Sequence, residues 1–311
     1  MQVGLLLIDG FALMSYASVI EPFRAANNLS GQELYRWKHL SVAGAQVSAS
    51  NGLTSLVDYP VSDAPALDRV FVFAAGDPAA YADERCFRWL RQQARQGVHI
   101  GGVSGGPFLL ARAGLLHGYR MTIHWEHVAA FQDEFSDYVV DSGLFVIDRD
   151  RMTCAGGTAG LDLALTLIEQ DHGALLARQV AEWFIQTEQR QSNVSQRLSL
   201  AHRYGTQNRH LLNMLAAMEA AIEIPLTRRG LADAIGVSLR QLERLCQAHL
   251  RSSIADIYFH IRLDHAAHLL RSTTHSITAV SLQCGFATAS HFSRAFKARF
   301  GMPPSRWTGR Q

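Results

Sequence analysis

A serine flanked by glycines is the residue of this 311-residue chain whose surroundings are best suited to chemistry. Ser104 follows an apolar run and lies within Gly102-Val103-Ser104-Gly105-Gly106, which satisfies the pattern G-x-S-x-G. In hydrolases this pattern forms a sharp strand-to-helix turn that presents a serine nucleophile, with backbone N–H groups nearby to hold an oxyanion. His124 follows as the candidate general base. One hypothesis is therefore a serine hydrolase or amidase that uses Ser104 and His124.

A second hypothesis is a pocket that binds a ligand without transforming it. The G-x-S-x-G match is short in a chain with 24 glycines, and an α/β-hydrolase places its histidine later, after an acid. The glycine-rich turn and Ser104 would instead receive a ligand carboxylate. Trp125 is equally consistent with core packing, whereas Phe11 lies at a strand end, beyond which ligands bind in parallel sheets. The residues predicted to form this pocket are Ser104, Gly105, Gly106, Phe11, His124 and Trp125.

The C-terminal part of the chain contains one pattern twice. Residues 231–246 and 280–296 each hold a short apolar helix, a glycine and a second helix with apolar residues at i, i+3 and i+4. Gly236 and Gly285 supply the backbone freedom for the sharp turn of a helix-turn-helix. Two such motifs predict two recognition helices for double-stranded DNA, held on one rigid body.

Each predicted recognition helix has a polar face. Ser238 is a good N-cap for the first helix, which should run to about Leu250, and the second should run from about Thr288 to Arg299. A solvated helix face is the alternative interpretation, but both motifs expose arginine at corresponding positions. The side chains predicted to face the DNA are Arg240, Glu243, Arg244, Ser290, His291, Arg294 and Lys297.

Charge is divided unevenly along the chain. Residues 202–311 contain 14 Lys and Arg against 6 Asp and Glu, a net charge of +8. The preceding residues contain 15 against 21, a net charge of −6. Such asymmetry is typical of a chain with one end that meets phosphates.

Two kinds of architecture must position these residues. In the first half, apolar strand-like runs such as 3–8 and 99–104 alternate with helical patterns, which predicts a mostly parallel sheet covered by helices on both faces. Two long helices are predicted at 159–169 and 175–189. After a polar segment the chain is helical, with a connecting helix at 256–270 between the two motifs.

Length and composition limit the class of protein to which the chain can belong. A chain of 311 residues has room for two domains. No apolar run is long enough to span a membrane, and the N-terminus lacks the basic region of a signal peptide. Four cysteines without C-x-x-C spacing predict a reduced, cytoplasmic protein without zinc or structural disulfides, and no cofactor is expected.

The C-terminal motifs resemble those of the AraC/XylS-type transcription regulators between residues 236 and 304. The resemblance rests on Gly236-Val237-Ser238-x-Arg240-Gln241-Leu242 and on Cys284-Gly285-Phe286-x-x-x-Ser290-His291-Phe292-Ser293-Arg294, followed by Phe300-Gly301 and Pro304. Ser281 stands where a small alanine is usual in this family. If Ser281 is buried, its hydroxyl needs a hydrogen-bond partner.

The N-terminal half resembles the PfpI-like, class I glutamine amidotransferase-like superfamily over residues 3–190. The matching segments are 102–111, 113–125 and 153–165. Enzymes of this superfamily carry a cysteine at the elbow, where this chain has Ser104, and a carboxylate from the first helix region, where it has Ser15. A serine lacks the low pKa of a thiol and needs an aligned base. Both departures favour a retired active site that is reused to bind a ligand.

Together the resemblances imply a ligand-responsive transcription regulator. They predict a flavodoxin-like α/β domain at 1–190, a linker at 191–204 and an all-α DNA-binding domain at 205–311, with helix-turn-helix motifs at about 228–250 and 277–300. The arrangement resembles regulators that sense arginine, carnitine or betaine-type compounds, so an amino-acid-like or quaternary-amine effector is expected. The implied protein is a homodimeric activator that recruits RNA polymerase. A hydrolase with an appended DNA-binding domain remains the alternative.

Overall fold

The fold is described over residues 1–307 of a computed structural model, which divides into a first compact unit, Met1–Gln196, and a second that begins at Arg197. The strands of the first unit are β1 (Gln2–Leu7), β2 (Arg36–Ser41), β3 (Gln46–Ser48), β4 (Thr54–Leu56), β5 (Tyr59–Pro60), β6 (Arg69–Ala74), β7 (His99–Ser104), β8 (Met121–Thr122), β9 (Val140–Asp141), β10 (Phe145–Asp148) and β11 (Arg151–Cys154). Its helices are α1 (Leu13–Ser30), α2 (Glu84–Arg95), α3 (Gly106–Arg112), α4 (Val128–Glu134), α5 (Ala159–His172) and α6 (Ala174–Trp183).

Seven of these strands form the central sheet, in the order β10-β11-β7-β6-β1-β2-β5. Neighbouring strands are parallel except in the edge hairpin of β10 and β11. The remaining strands pair as two short ribbons, β3 with β4 and β8 with β9. The mostly parallel, flavodoxin-like sheet predicted from the sequence is confirmed.

Side chains that alternate between the two faces of the central strands divide the core into two layers. On β1, Leu5 and Leu7 pack with α1, α5 and α6, whereas Leu6 points to the opposite face and packs with α2 and α3. Successive side chains of a strand face opposite sides of a sheet, so a continuous apolar strand needs helices on both. The elbow at Ser104 closes β7 at the carboxyl edge of this sheet.

The described residues of the second unit are helical. Its helices are α7 (Leu200–Tyr204), α8 (Arg209–Ala220), α9 (Arg228–Ile235), α10 (Leu239–Leu250), α11 (Ile254–Ser272), α12 (Ile277–Gln283) and α13 (Ala289–Phe300). A core of apolar residues from α8, α9, α10 and α11 holds the first half of this unit together.

Two predicted boundaries differ from the structure. The helix expected at 175–189 ends at Trp183, because Ile185 adopts a left-handed φ of 58° that does not continue a helix, and Gln186 and Arg190 then donate hydrogen bonds to the buried Asp162 carboxylate. The segment expected as a linker at 191–204 includes residues grouped with the first unit and the helix α7.

Candidate DNA-binding surface and effector site

The first helix-turn-helix is formed by α9 and α10. α9 ends at Gly236, whose φ of 75° lies in the left-handed region that favours glycine. Ser238 then caps α10, since its Oγ accepts a hydrogen bond from the Gln241 N–H at 3.2 Å. Leu242 and Cys246 are fully buried. The N-cap and the inward face of this helix match their prediction.

The second helix-turn-helix is formed by α12 and α13. Its turn is at Gly285, with φ 70°, where a Cβ would come within 2.7 Å of the Ile222 carbonyl oxygen and of Pro225. Glycine is therefore required at this turn by both backbone conformation and space. Thr288 caps α13 by accepting from the His291 N–H at 3.2 Å, and the apolar face of α13 is buried.

Ser281, the departure from the usual alanine, is buried in α12. Its side chain is 1% exposed, and its hydroxyl finds no hydrogen-bond partner among the described residues. A buried hydroxyl without a partner costs folding free energy, and nothing in the described structure compensates for this one.

The long helix α11 braces both motifs. The Tyr258 hydroxyl donates to the Ala221 carbonyl oxygen and accepts from the Leu226 N–H, in the loop that leads into α9. One helical turn later, Arg262 donates to the carbonyl oxygens of Cys284 and Gly285, in the turn between α12 and α13. Hydrogen bonds from one helix thus tie together the segments next to both motifs. The sequence predicted the connecting helix but not these two residues.

The predicted DNA-facing side chains are exposed on α10 and α13. Glu243 lies 3.4 Å from Arg228, and the ring of His291 packs near those of Phe259 and Phe286. The exposed residues are Arg240, Glu243, Arg244, Ser290, His291, Arg294 and Lys297.

The basic members of this set lack acidic partners. Within residues 1–307, the side chains of Arg240, Arg244, Arg294 and Lys297 form no hydrogen bond or ion pair. By contrast, Arg299 of α13 is held by Asp264 at 2.6 Å. The unneutralised positive charge therefore lies on the outward faces of both recognition helices, where phosphates or guanines would meet it.

The elbow at Ser104 has the strained geometry of a nucleophile turn. Ser104 adopts φ 60°, which is uncommon for a residue with a Cβ, and its side chain is 6% exposed. The turn at Gly156 and Gly157 packs against it, and the Ser15 hydroxyl accepts from the Gly157 N–H at 2.8 Å. Enzymes of the superfamily have a carboxylate at this position. This chain has the Ser15 hydroxyl there, and it holds the Gly156–Gly157 turn.

The two glycines after Ser104 serve packing. The Gly105 N–H already donates to the Ala74 carbonyl oxygen at 2.8 Å, so it is not free to receive a ligand carboxylate as the sequence predicted. A Cβ on Gly106 would lie 2.2 Å from the Val72 carbonyl oxygen. The absence of this side chain lets α3 approach the sheet closely.

His124 lies beside Ser104 but is not aligned as its base. The backbone N–H of His124 donates to the Ser104 carbonyl oxygen at 3.3 Å, while its Nδ1 accepts from the Glu126 N–H at 3.3 Å. No hydrogen bond joins the His124 ring to the Ser104 hydroxyl anywhere in the described structure. Burial lowers the pKa of His124, and the Glu126 carboxylate only partly opposes this shift. The imidazole is therefore neutral at neutral pH.

The two predicted aromatic pocket residues differ in exposure. Phe11 is 1% exposed and packs edge-on against Tyr16, so its ring belongs to the core. Trp125 is half-buried, with its ring centroid 5.7 Å from that of His124 and tilted by 34°. Of the predicted pocket residues, His124 and Trp125 are half-buried, and the His124 backbone joins them to Ser104.

Comparison with known proteins agrees with this two-part architecture. Residues 1–170 match the DJ-1/PfpI family, and residues 231–310 match a helix-turn-helix domain. The HTH-type transcriptional regulator CdhR of Pseudomonas aeruginosa is 44% identical over 97% of this chain and 89% of its own length. An AraC family transcriptional regulator from Pseudomonas putida has a crystal structure that covers 59% of this chain and 98% of its own, with 25% identity and a TM-score of 0.54.

The chain belongs to the AraC-type helix-turn-helix transcriptional regulators that carry a DJ-1/PfpI domain. The DJ-1/PfpI half also has an enzyme among its relatives. The isonitrile hydratase of Pseudomonas putida is 31% identical over 55% of this chain and 72% of its own length. No helix among residues 1–307 is long and apolar enough to cross a membrane, and the four cysteines are buried thiols.

Proposed function

We propose that this chain binds double-stranded DNA sequence-specifically through α10 and α13 and regulates transcription in response to a small molecule. The unpaired arginines on both recognition helices carry this proposal, together with the shared brace from α11. Two recognition helices that are both linked to α11 fit into two adjacent major-groove segments about one helical turn apart. The proposed protein acts in the cytoplasm as a homodimeric activator that recruits RNA polymerase.

Footprinting with the full chain tests the DNA-binding part of the proposal. On a fragment selected from a random pool, each bound protomer should protect two major-groove segments separated by about 10 base pairs, so a homodimer should protect two such pairs. Protection of a single segment per protomer would mean that one motif reads the DNA alone. Equal binding to selected and random fragments at physiological salt would overturn sequence-specific recognition.

The surface formed by His124 and Trp125 is the proposed effector site. A neutral imidazole and an indole offer π faces, and the Glu126 carboxylate lies 3.9 Å from His124 Nδ1. Aromatic faces beside a negative charge suit a quaternary ammonium or an amino-acid-like cation. The Ser104 hydroxyl is the proposed donor to the carboxylate of such an effector, a role in which the Gly105 N–H takes no part.

A thermal-shift screen of amino acids and methylated amines tests this effector class. A compound that binds only the folded chain raises its melting temperature in proportion to the logarithm of concentration. The shift should disappear in Trp125→Ala. A set of hits restricted to anions without a positive charge would overturn the proposed chemistry.

Hydrolysis at Ser104 is the competing function, favoured by the strained elbow and by an enzyme among the relatives of this half. The unaligned His124 ring and the hydroxyl of Ser15 weigh against it, because a serine nucleophile needs a positioned base. Turnover of ester or amide substrates that vanishes in Ser104→Ala would establish the enzyme. We propose instead that the chain is not an enzyme.

A further inference from the structure

The end of the first unit is held by two side chains, Asp162 and Gln196, and by a backbone hydrogen bond from the Leu144 N–H to the Ser192 carbonyl oxygen at 2.8 Å. We call residues 186–196 the tether, since they follow α6 and lead to Arg197. The first anchor is Asp162, which is fully buried and accepts from Gln186 Nε2 at 2.8 Å and from the Arg190 N–H at 2.9 Å. The Arg190 guanidinium completes this anchor with an ion pair to Asp162 at 2.6 Å. A buried carboxylate requires such partners, so this anchor is strong.

The second anchor is the side chain of Gln196. Its Nε2 donates to the carbonyl oxygens of Ile123 at 3.0 Å and Gly143 at 2.9 Å, and to the Thr122 hydroxyl at 3.0 Å. Its Oε1 accepts from the Trp125 N–H at 2.8 Å. This one carboxamide therefore makes hydrogen bonds with both neighbours of His124 in the chain.

Both anchors contact segments that border the proposed effector site. The backbone of His124, between the two residues that hold Gln196, is itself bonded to the Ser104 carbonyl oxygen. On the other side of the elbow, Arg190 Nη2 donates to the Thr158 hydroxyl at 3.0 Å, directly after the Gly156–Gly157 turn that packs on Ser104. A displacement of either segment alters the geometry of an anchor.

We propose that the tether is the output element of the effector site, and that an effector that displaces the 123–125 segment releases Gln196. This inference rests on the proposed effector binding. Because the Leu144 N–H still holds the Ser192 carbonyl oxygen, release of Gln196 would free residues 193–196, up to about 14 Å of chain before the second unit at about 3.3–3.6 Å per extended residue. Asp162 and Arg190 would keep the start of the tether in place, which makes Gln196 the switching contact.

Limited trypsin digestion of the full chain tests the coupling, because trypsin cuts after Arg197. Without any effector, Gln196→Ala should raise the rate of this cut about fivefold or more, as expected when the hydrogen bonds that hold a segment closed are lost. Gln191→Ala is the matched control, since the Gln191 side chain is exposed and makes no hydrogen bond with a described residue. A rate in Gln196→Ala equal to those of Gln191→Ala and wild type would overturn the second anchor.

A change at the site itself tests the direction of the coupling. The Ser104 Cβ packs against the Gly156 turn, so Ser104→Leu should shift the elbow whose carbonyl oxygen accepts from the His124 N–H and should speed the cut after Arg197. His124→Ala is the second variant if Ser104→Leu does not fold. Hydrogen exchange at the Trp125 amide, which Gln196 protects, should accelerate in the same variants. Unchanged cleavage and exchange in a folded site variant would overturn the coupling. These measurements use no effector, so a failed effector screen leaves them interpretable and counts against the proposed function alone.

Discussion

Arg262 of the connecting helix donates from Nε to the carbonyl oxygen of Cys284 at 2.7 Å. Its Nη2 donates to the next carbonyl, that of Gly285. A planar guanidinium suits two adjacent carbonyl oxygens in the turn of the second helix-turn-helix. The second motif is therefore positioned by a side chain that lies outside it.

Arg262→Ala should destabilise the second unit by about 1–3 kcal/mol, because two partly buried carbonyl oxygens lose a charged donor. It should also weaken binding to DNA that carries both half-sites. Arg262→Lys should not restore either property, since an ammonium cannot reach both carbonyls in one plane. Urea unfolding and gel-shift titration measure the two effects. Arg209→Ala, which removes an exposed arginine, should match wild type; a fully stable Arg262→Ala chain would contradict the bracing role.

The two turn glycines should respond differently to the same substitution. Gly285→Ala forces a Cβ to within 2.7 Å of the Ile222 carbonyl oxygen, in addition to its positive φ. Gly236→Ala meets no atom within 4 Å, so only the backbone conformation opposes it, at about 1–2 kcal/mol. Gly285→Ala should therefore lower the melting temperature well below that of Gly236→Ala. Equal losses would show that the α8–α9 loop does not pack against this turn in solution.

Ser281→Ala should stabilise the protein by about 1 kcal/mol, because it removes a buried hydroxyl that has no partner among the described residues. Alanine also has the higher helix propensity. The melting temperature should rise while DNA affinity stays the same. A loss of stability would reveal a hydrogen bond to the Ser281 hydroxyl and refute this account of the site.

Stability should fall as the medium is acidified, in part through His124. Burial lowers the pKa of His124 below its usual value. On acidification His124 therefore binds a proton in the unfolded chain at a pH where it is still neutral in the folded chain. This loss begins below the usual histidine pKa of about 6.5 and ends at the lower folded value. His124→Asn keeps a side-chain acceptor for the Glu126 N–H but cannot titrate. Its melting temperature should therefore fall less than that of wild type between pH 7.5 and 5.5. His265, whose pKa is also lowered by burial, should retain its share of the pH dependence. Identical pH profiles would exclude His124 as a contributor.

Local patterns predicted much of this fold. Alternating apolar strands and helices led to the parallel sheet, and spacing around Gly236 and Gly285 led to both helix-turn-helix motifs. The tether was missed because its polar composition is typical of a linker. It is held by the side chains of Asp162 and Gln196 and by a backbone hydrogen bond at Ser192, whose partners lie far away in the chain, and such contacts leave no periodic signal.

At the proposed effector site, too, the sequence did not reveal long-range contacts of individual side chains and backbone groups. The strand-end rule placed Phe11 in a pocket, but its ring is needed in the core beside Tyr16. The glycine-rich turn suggested free donors, yet the Gly105 N–H is taken by Ala74. Sequence spacing located the elbow and His124 but could not reveal which of their polar atoms were already bonded.

Gel-shift titration of the full chain, on a fragment selected from a random pool, tests whether α10 and α13 recognise DNA through their outward faces. Arg244→Ala and Arg294→Ala should each weaken specific binding by about 1–3 kcal/mol, or about 5- to 150-fold, with unchanged melting temperature. Arg178→Ala removes an exposed arginine of α6 in the first unit and should leave affinity at the wild-type value. Wild-type affinity in both Arg244→Ala and Arg294→Ala would contradict DNA recognition through the outward faces of α10 and α13.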